Sequence, residues 1–191
     1  MLAVVHVDRI QECLRAVASV VDAQQRREMD FPKRVLDWLA DAEKILHDAR
    51  QAGMSQISSL RSTLLTTHHG SKRNLAQTRR AQMEAVASEV LAKGQEVLTA
   101  AIEPRVAQIA EAELLVSRVL AVASVKGSLR GVPKSLPHEA LLAQILSALK
   151  QDQDTVSATV HFMGILGPVD SLIVLDRVLG NRLSSPDWSD L

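Results

Sequence analysis

Residues 71–126 read SKRNLAQTRRAQMEAVASEVLAKGQEVLTAAIEPRVAQIAEAELLVSRVLAVASVK, and this stretch decides the fold. Met83, Ala87, Val90, Gly94, Val97 and Ala101 recur at alternating spacings of four and three, and the rhythm resumes after Pro104 with Val106, Ile109, Val116, Leu120 and Ala123. Such a period places apolar side chains on one face of a helix and does not fit a strand. Nothing loop-like separates the two halves, so Pro104 kinks or restarts a helix rather than reversing the chain. A continuous helix of this length spans roughly 80 Å at about 1.5 Å per residue. That outruns a compact globule, and an elongated bundle is predicted.

Working towards the N-terminus, Ala3, Val7, Ile10, Leu14, Val17 and Val21 form a heptad-like stripe, with Asp8 and Gln11 offering a capping box. The first helix is predicted over 8–29. Asp30, Phe31 and Pro32 then give a cap and a first-turn proline, and Val35, Leu39, Ala42, Leu46 and Ala49 carry a second helix to a stop at Gly53. A third, over 55–69, turns Ile57, Leu60 and Leu64 inward and ends at Gly70. Short connections of this kind favour antiparallel neighbours.

Towards the C-terminus, 127–137 holds two glycines and two prolines and reads as a linker. Pro137 opens a helix carrying Leu141, Leu142, Ile145, Leu146 and Leu149. Thr155 to Phe162 alternates polar and apolar residues as a strand does, yet Val156, Val160 and Met163 also satisfy a helix, which the helical surroundings favour. Pro168 starts a last helix through Leu172, Leu175 and Leu179 to Gly180. The predicted organisation is therefore all-α: a helical bundle over 1–126 with a long middle helix, a linker over 127–137, a smaller helical portion over 138–183 and a tail over 184–191.

The chain has 191 residues, enough to bury a core without disulfides or metals. That core must be aliphatic, because there is no tyrosine and only Phe31, Phe162, Trp38 and Trp188 supply large rings. So few aromatics weaken any reading as a stacking platform for single-stranded nucleic acid. Cys13, the only cysteine, falls beside the stripe and reads as an inert, half-buried thiol in a reducing compartment. The apolar run before Asp8 is too short for a signal peptide, so an intracellular setting, cytoplasmic or nuclear, is expected. The apolar runs at 114–125 and 155–169 are too short or too interrupted to cross a bilayer and read as core.

No phosphate loop, nucleophile elbow, dinucleotide fingerprint or paired-cysteine site occurs. Glu43 and His47, four apart, suit a surface pair better than a metal site. No catalytic residue, cofactor or metal is therefore expected, and the chain does not read as an enzyme.

Charge is more informative. The 22 basic and 22 acidic residues cancel overall, but regionally they number nine and nine over 1–70, eleven and seven over 71–150, and two and six over 151–191. Arg61, Lys72, Arg73, Arg79 and Arg80 fall in a stretch free of acids between Asp48 and Glu84. On a wheel of 100° per residue the last four of these share an arc of about 120°. This face predicts pairing with the acidic C-terminal region of the same chain, a partner with an acidic surface or, as an alternative function, nucleic-acid phosphates. Trp188, among acids near the end, suits an anchor in a short recognition peptide. The sequence thus predicts a scaffold, adaptor or assembly subunit that pairs helix faces, coiled-coil fashion, with itself or another protein.

Overall fold

The computed structural model describes residues 2–70, 76–132 and 136–183. Seven helices and no strand occur among them: α1 (Val4–Gln25), α2 (Phe31–Asp48), α3 (Gly53–Gly70), α4 (Ala76–Lys126), α5 (His138–Gln151), α6 (Val156–Leu166) and α7 (Pro168–Leu183). The fold is all-α. Tertiary contacts divide the chain into two compact units, Met1–Pro104 and Arg105–Leu191, so the boundary falls inside α4 at its internal proline.

In the first unit the contacts between helices give their directions. Arg9, early in α1, bonds Asp48 at the end of α2, and Arg61 in α3 bonds Glu43 in α2. Gln24, late in α1, donates to Ser88, and Arg80 donates to the carbonyl of Arg27, so the start of α4 lies by the end of α1. Gly53, opening α3, lies against Val97 of α4 and Leu46 of α2. These contacts make successive helices antiparallel, as short connections require. Trp38 sits at the centre, its indole N–H donating to the Cys13 carbonyl at 2.8 Å and its ring lying on Gly94. A Cβ at Gly94 would stand 2.7 Å from Trp38 Cζ3, which is why the α4 stripe carries a glycine there.

Several expectations shift by a residue or a turn. Helix α1 starts at Val4 rather than Asp8, because Val4 and Val7 are buried and extend the apolar face; Asp8 lies inside the helix and Ala3 stands at the N-cap without a side-chain bond. The buried stripe is Val4, Val7, Ile10, Cys13, Val17 and Val20, so Cys13 and Val20 replace Leu14 and Val21. Gly53 does not end α2 but opens α3. Helix α2 closes earlier, where the Gln51 N–H bonds the Leu46 carbonyl and the Arg50 N–H bonds that of His47, with Arg50 at φ +53°. Helix α1 closes identically, with Arg27 at φ +57°, and α4 with Gly127 at φ +70°. All three are Schellman closures, whose left-handed position favours glycine, and arginine fills two of them. In α3, Ile57 and Leu64 are buried as expected while Leu60 is half-buried.

Around Pro104 the buried residues of α4 are displaced by one from the expected stripe. Leu98 and Ile102 are buried where Val97 and Ala101 were expected, and Arg105 takes the position assigned to Val106. The four-three alternation loses phase here because two successive spacings of four follow Gly94. The stretch 155–162, open to a strand reading, is helical from Val156 onward, with Thr155 at the N-cap. Its inward residues are Thr155, Thr159, Phe162 and Leu166 rather than Val156, Val160 and Met163. The threonines can be buried because the Thr155 hydroxyl donates to the Leu149 carbonyl and that of Thr159 to Thr155. Helix α7 runs past Gly180 to Leu183.

Candidate functional site

The predicted basic face is only partly within view. Lys72, Arg73 and Trp188 lie outside the described residues. Arg61 pairs with Glu43 at 2.9 Å, and the Ser58 hydroxyl together with this guanidinium holds the Glu43 carboxyl below its ordinary range. Arg80 pairs with Glu84 at 2.7 Å and also donates to the Arg27 carbonyl. Arg79 is half-buried in α4. Arg61 and Arg80 thus already have carboxylate partners nearby in the chain.

The acidic end is answered locally as well. Within the second unit Asp152 accepts from Ser128, Asp154 pairs with Lys126, and Asp176 contacts His138 at 2.8 Å. The fourth, Asp170, meets Arg105, a pairing that the sequence reading did not anticipate. Arg105 is 4% exposed and Asp170 8%. Arg105 Nη2 lies 2.8 Å from Asp170 Oδ2 and 3.3 Å from the Leu166 carbonyl; Nη1 donates to the Ile165 carbonyl and to Gln108 Oε1, each at 3.0 Å. One guanidinium therefore covers the C-terminal carbonyls of α6 and a carboxylate in the first turn of α7, two helices that meet at a bend of 114°. The positive group sits at the negative end of one helix, and the carboxylate at the positive end of the next. This arrangement holds a corner.

Other chemistry is sparse. Cys13 is buried, and burial, reinforced by the charge of Asp41, pushes its thiol up from 9.0 to about 11, so it is poorly nucleophilic near neutrality. No group of three or more metal-ligating side chains occurs among the described residues. Glu43 binds Arg61, and the exposed His47 lies 3.8 Å from Asp48, so those two make no shared ligand set. Between α3 and α4 lies a shallow, open groove lined by Ser55, Ser59, Lys93, Glu96 and Val97, where the exposed pairing with Glu89 raises the Lys93 ammonium above its ordinary range. Among the described residues no single helix is long and apolar enough to cross a membrane, and by length and composition one bent pair, α6 and α7, passes that test.

What remains is a surface. The apolar run 114–125, expected as core, is only half so. Val116, Val119, Leu120 and Ala123 are buried, but Leu114 is 62% exposed, Val122 39% and Val125 88%. Helix α4 is apolar on both sides in this unit, and one side is uncovered. A second signal was available in the sequence, because residues 107, 110, 114, 121 and 125 also recur at helical spacing, opposite the stripe that packs inward.

No family model, curated protein or solved structure matches this chain. Fold and surface together define an all-α protein of two helical units with one face of its longest helix unfilled.

Proposed function

We propose that the chain is a non-enzymatic interaction protein, a scaffold or assembly subunit that works by burying helix faces against a partner. The observation that carries this reading is the outer face of α4, where Leu114, Val122 and Val125 are exposed on a helix whose opposite side already fills the core. Exposed apolar side chains aligned on one face mark an interaction surface more often than scattered ones do. Burial of such a face supplies affinity, and the charges beside it select the partner.

The alternative, phosphate binding by the basic face, draws no support from Arg61 and Arg80, which are paired with Glu43 and Glu84. The two readings separate in one comparison. An interaction protein loses its partner when Leu114 and Val125 are both changed to Asp and keeps it in an Arg79→Ala, Arg80→Ala variant. Duplex binding at about 50 mM salt that falls steeply with added salt and disappears in the arginine variant would establish the phosphate reading instead.

A further inference from the structure

The outer face of α4 has a pattern that selects its occupant. With Leu114 at zero on a wheel of about 100° per residue, Ala107, Ala110, Ala121 and Val125 fall within about 40° of it, and Val122 at about 80°. All are exposed or, for Val122, at the edge of exposure. Two charges interrupt this stripe, Glu111 at about 60° and Arg118 at about 40°, both exposed and both on the same flank. They stand seven residues apart, about 10 Å along the axis, too far to pair with each other in one helix. The opposite flank carries Ala110 and Ser117, and its first charge, Glu113 at about 100°, is half-buried against Arg177.

We propose that this face binds a second copy of the chain, α4 against α4 in antiparallel fashion about a two-fold axis near residues 114–115. The inference rests on the interaction reading above and names the partner. In a two-fold pairing of antiparallel helices, the same flank of each helix meets across the interface, and a residue before the centre faces one after it. Glu111 of one protomer then meets Arg118 of the other, twice, while Leu114 lies at the centre against its counterpart and the small side chains of Ala107, Ala110 and Ala121 let the helices approach. Parallel pairing sets opposite flanks together, so both charges would face alanine or serine. The arrangement of charge is therefore self-complementary in one orientation only. The face is a single helix wide, at the small end of specific interfaces, which implies a reversible dimer with Kd on the order of 1–100 µM.

Sedimentation equilibrium of the full chain from about 5 to about 500 µM tests this, with circular dichroism to confirm that each variant folds. The wild type is expected to pass from monomer to dimer. Arg118→Glu and Glu111→Arg each place like charges opposite one another at both pairs and raise Kd by about tenfold. The double variant restores the wild-type Kd, and an equimolar mixture of the two single variants forms heterodimers. Leu114→Asp, exposed and neutral to folding, raises Kd about a hundredfold or more. A wild type that stays monomeric at the highest concentration overturns the proposal, as does a dimer indifferent to Leu114→Asp or to the charge exchange. A monomer that nevertheless loses a different protein partner on Leu114→Asp overturns self-pairing while leaving the interaction reading in place.

Discussion

Replacing Arg105 by Ala removes the guanidinium that serves four acceptors at once: the Asp170 carboxylate at 2.8 Å, the Ile165 carbonyl and Gln108 Oε1 at 3.0 Å, and the Leu166 carbonyl at 3.3 Å. Asp170, 8% exposed, is left as a buried carboxylate without that cation, and breaking a buried pair from one side costs about 3–5 kcal/mol. Against a typical total of about 5–15 kcal/mol this is a large fraction of the stability of a domain. Lys at 105 keeps the charge, but its compact ammonium cannot reach both helix ends in one plane, and about 2 kcal/mol is lost. Removing both charges with apolar residues of similar size, Arg105→Met with Asp170→Leu, leaves no orphaned ion. The double variant therefore falls well short of the sum of the single ones. Urea denaturation followed by far-UV circular dichroism gives the free energies of the wild type, Arg105→Met, Asp170→Leu and the double variant, and hydrogen exchange at α6 and α7 locates the loss. A cost below about 1 kcal/mol for Arg105→Ala, or single effects that simply add in the double variant, refutes the coupling argued from this geometry.

Gly94→Ala drives a methyl to within 2.7 Å of the Trp38 ring, so it is expected to destabilise the first unit by about 1–3 kcal/mol and to change tryptophan emission; calorimetry and fluorescence check both. Arg27→Gly and Arg50→Gly relieve a left-handed backbone, at φ +57° and +53°, and each is expected to raise stability by about 0.5–1 kcal/mol in denaturant titration. The Cys13 thiol is raised from 9.0 to about 11 by burial and Asp41, so it stays neutral in the folded chain while the unfolded thiol ionises first. The stability this contributes is complete below about pH 9 and is lost as pH rises towards 11, by about 2–3 kcal/mol. Cys13→Ala should lack that slope, and iodoacetamide should label the native thiol near pH 8 far more slowly than the unfolded one.

The helix count and order were legible because their determinants are local: Pro32 in the first turn of α2, Gly70 at the end of α3, and apolar residues three and four apart throughout; the Asp30 cap was not realised, since its carboxylate bonds Arg34 rather than a backbone N–H. What sequence periodicity does not supply is phase when two adjacent arcs are both apolar. Val20 and Val21 differ by 100° on α1 and are chemically identical, so only contact with α2 and α4 decides which is buried. Gly53 shows the same limit at a boundary. A glycine suits the end of a helix, but the left-handed closure went to Arg50, and Gly53 was spent on close approach to Val97 and Leu46.

Arg105 and the outer face of α4 were hidden for one shared reason. Each contradicts the rule that assigns apolar residues inward and charges outward. The inner side of α4 in Arg105–Leu191 accepts a charge because α6 and α7 present two carbonyls and a carboxylate at that point, an arrangement made only by the 114° bend between helices distant in sequence from it. With Arg105 so committed, α4 cannot rotate about its axis without burying an unpaired ion, which fixes Leu114 and Val125 on the outside. A buried ion pair adds little stability over an apolar pair of equal volume, and its better-attested use is to select one register. In this chain the register it selects is the one that leaves an apolar face, with Glu111 and Arg118 on one flank, directed to solvent. The residue that periodicity could not read is thereby the one that positions the surface from which the function is argued.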